Sequence, residues 1–124
     1  TAPEKDDGPG LAAALGAWCK QMPGGKIAYL LCLEGITRDM KTVTGGMPSL
    51  TAERCALVTS DTDYRYTCQR QSATRFAFYY SLEKAIRACD DLPEDQLATC
   101  RELTTSEHAR LLATKGKYNP GNPY

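Results

Sequence analysis

The side chains in this chain best suited to chemistry are its six cysteines, which fall into three pairs: Cys19 and Cys32, Cys55 and Cys68, Cys89 and Cys100. Thiols can ligate a metal, cycle between redox states or close a disulfide, and spacing separates the three. Zinc sites use cysteines about two to four residues apart, whereas twelve, twelve and ten residues lie inside these pairs. A single histidine, His108, cannot complete several such sites. No C-x-x-C is present for a thioredoxin-like centre, and no C-x-x-C-H for haem attachment. Disulfides remain. Six cysteines with none left over, in 124 residues, predict a stapled scaffold from an oxidising compartment, secreted or periplasmic.

Other reactive groups are sparse. His108 lies one helical turn from Thr104 and beside Glu107, the start of a hydroxyl–imidazole pair. Nucleophilic catalysis would also need an orienting carboxylate and an oxyanion hole, and the chain has no G-x-S-x-G elbow. Asp90, Asp91, Glu94 and Asp95 lack the alternating ligands and central glycine of a calcium loop, so they read as helix-capping and solvated groups. Gly24-Gly25 and Gly45-Gly46 follow no strand, and Gly45-Gly46 is not succeeded by the Lys-Ser or Lys-Thr of a Walker motif, so both read as hairpin turns. No catalytic residue, metal or cofactor is expected, and the chain is not expected to be an enzyme.

Recognition chemistry is concentrated between Arg54 and Arg87, where six basic residues face three acidic ones in a chain whose fifteen and fifteen otherwise cancel. Phe76, Phe78, Tyr79 and Tyr80 follow Arg65, Arg70 and Arg75. Aromatic and arginine side chains dominate protein–protein hot spots, so Arg65, Arg70, Arg75, Phe76, Tyr79 and Tyr80 are the expected partner-binding set. The competing reading is a central helix buried on two sides, with arginines at the rim laying their stems over the core. The basic excess is too small for nucleic acid, and the overall charge of zero points to no anionic membrane. The longest apolar run, Ile27 to Leu33, falls far short of the ~18 residues of a membrane span.

The elements that must position these groups are helical; no stretch alternates apolar and polar residues as a strand would. One helix is expected from Leu11 to about Gln21, stopped by Pro23-Gly24-Gly25, and a second from Lys26 to about Thr42. The second carries Ile27, Leu30, Leu31, Leu33 and Ile36. A short third helix runs roughly from Thr51 to Thr59. Asp61 or Asp63 then caps a long fourth helix reaching about Cys89. Leu92-Pro93 ends it, and a fifth helix begins in the turn of Pro93 and stops at Gly116.

On this map each cysteine pair straddles one turn, which favours local pairing: Cys19–Cys32, Cys55–Cys68 and Cys89–Cys100. A closed loop of this size contributes roughly 3 kcal/mol in the chain-entropy estimate. Successive first cysteines stand 36 and 34 residues apart, so the expected fold is all-α, about five helices as disulfide-stapled αα-hairpins, in a compact bundle or a three-hairpin stack. Residues 1–10 read as a flexible polar arm of a mature exported protein, 11–116 as a single helical domain, and 117–124 as a C-terminal tail, for which plain disorder is the leading reading and a second contact element, through its two tyrosines, the other. The expected function is a non-catalytic module that binds another protein, such as a periplasmic inhibitor or immunity protein that neutralises a toxin or hydrolase. The alternatives are a helical carrier of a small apolar ligand or lipid, and an accessory subunit of an envelope assembly.

Overall fold

The structure, a computed structural model, describes residues 7–115; the stop at Gly116, the tail and most of the N-terminal arm lie outside them. Among the described residues there are seven α-helices and no strands. Helix α1 spans Gly8–Lys20, beginning three residues before the expected Leu11 because Pro9 suits a first helical turn. Gly24 and Gly25 both have positive φ (114° and 71°), the backbone that reverses the chain into α2, Gly25–Arg38. Asp39 interrupts the helical path, and α3 follows as one turn, Met40–Val43. After the Gly45-Gly46 turn, a 3-10 turn at Pro48–Leu50 leads into α4, Thr51–Val58.

Helix α5, Thr62–Tyr79, starts where its cap was expected: Asp61 accepts a hydrogen bond from the Tyr64 backbone N–H at 3.1 Å. Its end was not foreseen. The predicted helix to Cys89 breaks at Tyr80, which is extended, and Ser81 caps a new short helix α6, Leu82–Ala85, by accepting from the Lys84 N–H. A 3-10 turn, Ile86–Cys89, continues it. The chain has reversed here, because the Gln69 side-chain amide donates to the carbonyls of Ala88 (3.1 Å) and Asp90 (2.9 Å). Cys89 therefore lies back beside the middle of α5 rather than beyond its end. Asp91, at φ 73°, closes the next bend, and α7 runs Glu94–Lys115.

All three disulfides join the expected partners, with Cα separations of 5.5 Å for Cys19–Cys32, 5.9 Å for Cys55–Cys68 and 5.8 Å for Cys89–Cys100. The hairpins they staple are α1/α2, α4/α5 and α6 with its 3-10 turn/α7. These hairpins pack side by side. Helix α1 meets α4, and α4 meets the 3-10 turn at Cys89, while α5 lies between α2 and α7. The middle hairpin is thus covered on both flanks, and its α5 makes the broadest set of contacts in the domain.

The core is built largely from small side chains, the six half-cystines and a few larger ones, Phe76, Met40, Leu33 and Ile36 among them. Such a core needs close backbone approach. Gly16 provides it: a Cβ built there would stand 2.7 Å from the carbonyl carbon of Val58 and closer still to its oxygen. The core also holds one fully buried cation. Arg54 Nε donates to the Val43 carbonyl at 3.1 Å, filling an acceptor that the end of α3 leaves open, and its guanidinium pairs with the Glu53 carboxylate.

Candidate protein-binding groove

Helix α5 divides its side chains between two environments. Cys68, Gln69, Ser72, Ala73, Phe76 and Ala77 form its buried row. Gln71, Thr74, Arg75 and Phe78 occupy another face, and they floor an open groove of about 430 Å³ between α2 and α7. Glu34 and Thr37 supply one wall; Leu103, Ser106, Glu107 and Arg110 supply the other. The three helices form this groove because the middle hairpin is flanked on both sides, leaving α5 recessed between its neighbours.

The walls are held by polar contacts. Thr37 donates its hydroxyl to the Glu34 carbonyl at 2.6 Å and stands 3.5 Å from the Gln71 side-chain amide. Arg38 pairs with Glu34 at 3.2 Å on the outer rim. Across the groove Arg110 engages both oxygens of Glu107, with Nε to Oε1 at 3.0 Å. That hydrogen bonding, with the charges of Arg110 and Arg75, holds the Glu107 carboxyl below its ordinary value, although partial burial pushes the other way. Arg75 makes no side-chain hydrogen bond among the described residues, so its donors remain unspent on the groove floor.

The six residues expected to bind a partner do not form one surface. Phe76 is 1 % exposed and belongs to the core, against Tyr80 at 5.6 Å between ring centroids, so its side chain is not available to a partner. Its burial follows from the α5 row it shares with Cys68 and Ser72, the two-sided helix that was the competing reading. Arg70 is tied to Thr67 at 3.2 Å and to Gln96 of α7. Arg65 is half-buried, with its Nε buried and without a hydrogen-bond partner among the described residues. Tyr79 is exposed under Lys41 (Nζ 4.9 Å from the ring centroid), and Tyr80 is half-buried under Lys84 at 4.2 Å. Burial, and then the Tyr79 hydroxyl, push the Tyr80 phenol upward. Arg65 and Tyr79 stand about 21 Å apart along the helix at 1.5 Å per residue, and only Arg75 of the six lines the groove.

Residues from α2 and α7 complete the groove, and sequence reasoning missed them. Leu103 was available as a signal: it is apolar and 47 % exposed, on a helix whose other leucine of that turn pattern, Leu97, packs on the core. At His108 the hydroxyl–imidazole pair is not formed, because Thr104 donates to the Cys100 carbonyl at 2.7 Å and its oxygen contacts Cys89 Sγ. Among the described residues no group of three His, Cys, Asp or Glu could hold a metal. Asp90 of the acidic cluster pairs with Arg87 at 2.7 Å, which keeps the Arg87 guanidinium protonated more firmly than usual. A second open cleft, about 390 Å³, lies at the α1–α2 turn and includes Lys20, Lys26, Tyr29 and Asp61. No helix of the described residues is long and apolar enough to cross a membrane.

Comparison with known proteins finds no matching family model, no matching curated protein and no matching solved structure.

Proposed function

We propose that the chain is an exported, non-catalytic module that binds another protein, with the α2–α5–α7 groove as its contact surface. The observation that carries this reading is Arg75, a half-buried guanidinium with uncommitted donors, flanked by Phe78 and Leu103 and hemmed by the Glu107–Arg110 pair. Arginine beside an aromatic and an aliphatic side chain in a recess is the composition of an interface hot spot. The groove is open along its length and suits an extended or helical segment of a partner better than a small molecule. Three disulfides fit an oxidising location. A periplasmic inhibitor or immunity protein that neutralises a toxin or hydrolase suits a rigid scaffold of this kind. An apolar carrier is less well supported, since both grooves open to solvent and are edged by charged side chains, whereas a lipid cavity must be enclosed.

Co-purification from the native source with the wild-type chain and with Arg75→Glu and Leu103→Asp tests this. The expected result is a partner retained by the wild type and lost by either variant at unchanged helicity. A partner retained equally by all three would remove the groove from the interface.

A further inference from the structure

The cleft at the α1–α2 turn, about 390 Å³, is rich in hydrogen-bond donors and poor in free acceptors. Lys20 and Lys26 line it, and neither ammonium has a carboxylate partner among the described residues. Asp61 is the one acidic side chain in the lining, and its Oδ1 is engaged by the Tyr64 backbone N–H at the cap of α5. The first turn of α2 opens here through Gly25 and Lys26; no side chain caps it, and it contains no acidic residue. The leading N–H groups of a helix have no partner within it and form the positive end of its dipole. Lys26 adds charge of the same sign at that end, an arrangement that opposes folding and favours an incoming anion.

A second observation lies deeper. Thr59 is only 3 % exposed, and its hydroxyl oxygen accepts from the Tyr29 hydroxyl at 3.1 Å and from the Asp61 backbone N–H at 3.2 Å. Tyr29 and Thr59 together hold two hydroxyl protons and share one bond. Whichever way that bond runs, one proton has no acceptor among the described residues. A donor left over at a buried position calls for an acceptor from outside. The rings of Tyr29 and Tyr64, 5.7 Å apart between centroids, form an aromatic wall beside it.

We infer that this cleft binds a small phosphate monoester, with the phosphate held by Lys20, Lys26 and the open end of α2 and the carbon body against Tyr29 and Tyr64. The donors are ammonium, hydroxyl and amide groups on separate elements, which suits a tetrahedral group. A planar carboxylate is matched by the arginine fork, and no arginine lines the cleft. The volume falls within the ~300–1,000 Å³ of small-molecule sites. The Cys19–Cys32 bridge ties α1 to α2 beside the cleft, so the donors are in place before the ligand arrives. This cleft shares no lining residue with the α2–α5–α7 groove, and neither reading depends on the other.

The oxidised full chain, labelled with nitrogen-15, is titrated by NMR with phenyl phosphate, inorganic phosphate and benzoate at constant ionic strength, above the second phosphate pKa of about 6. The expected result is a saturable shift of the Gly25, Lys26 and Ser60 amide signals. Phenyl phosphate binds roughly two- to tenfold tighter than inorganic phosphate through its ring contacts, and benzoate binds weakest. Lys20→Gln and Lys26→Gln each weaken binding by roughly two- to fivefold. Lys84→Gln removes an equal charge over Tyr80, outside the cleft, and leaves the affinity unchanged. All three lysines are exposed, and circular dichroism verifies that each variant keeps the fold. Shifts that stay linear with concentration, or that Lys84→Gln reduces as much as Lys20→Gln does, overturn the proposal, because only nonspecific ion pairing then remains. Benzoate binding as tightly as phenyl phosphate overturns it too, since the cleft would then not select a phosphate.

Discussion

Replacing Gly16 by alanine sets two opposing effects against each other, and the structure decides the sign. In a mid-helical position alanine is favoured over glycine by about 1 kcal/mol. A methyl group at Gly16 would, however, meet the Val58 carbonyl carbon at 2.7 Å and its Cα at 2.9 Å, where about 3.5–4.0 Å is comfortable for carbon pairs. These are backbone atoms and cannot rotate away, so α1 must back off α4 by about 1 Å along a seam packed to crystal-like density. Inserting a methyl into a packed interface costs typically 1–3 kcal/mol. The rigid neighbour argues for the upper half of that range, leaving a net loss of about 1–2 kcal/mol after the propensity gain. For a domain of this size the midpoint of thermal unfolding falls by about 4–8 °C. The control is Gly35→Ala in α2, where a Cβ would have no atom within 4 Å; that variant gains stability, by up to about 1 kcal/mol. Both are read by circular dichroism in urea and on heating, with disulfides intact. A Gly16→Ala protein as stable as wild type would refute the close α1–α4 seam.

Arg54→Met keeps the aliphatic stem but strands the buried Val43 carbonyl, and destabilises by about 1–3 kcal/mol in urea titration. Graded reduction with alkylation and mass mapping should open Cys19–Cys32 first, because Cys32 is half-buried whereas the other five half-cystines are buried; earlier labelling of Cys55 or Cys89 would contradict the core described above. The lowered carboxyl of Glu107 gives a stability contribution that is present above its ordinary value of 4.5 and lost as pH falls through the lowered folded value. Arg110→Gln should shrink that acid-side loss, which is under about 1 kcal/mol for so exposed a pair, with NMR titration of Glu107 moving upward.

The covalent frame and the helix starts were legible because each rests on local chemistry. Cysteine spacing encodes the pairing, Asp61 is a capping residue in front of an apolar period, and Gly24-Gly25 permits a backbone other residues avoid. The break at Tyr80-Ser81 was not legible. The heptad-like run through Phe78, Leu82, Ile86 and Cys89 continues in sequence, and only the tertiary bond from Gln69 to Ala88 reveals that the chain doubles back. Phe76 was misplaced for a related reason: on a helix covered from two sides, aromatic residues do not mark which face is free. The groove was invisible because its walls come from α2 and α7, whose approach to α5 is set by hairpin stacking and not by any pattern within one segment.

The three cystines follow one another along the chain without nesting or crossing, each spanning only 11 to 13 positions. During synthesis into an oxidising space, every thiol would meet its correct mate as the nearest one to emerge. A simple oxidase acting from the N-terminus onward would then suffice, and the shuffling that interleaved cross-links demand of an isomerase would have nothing to correct.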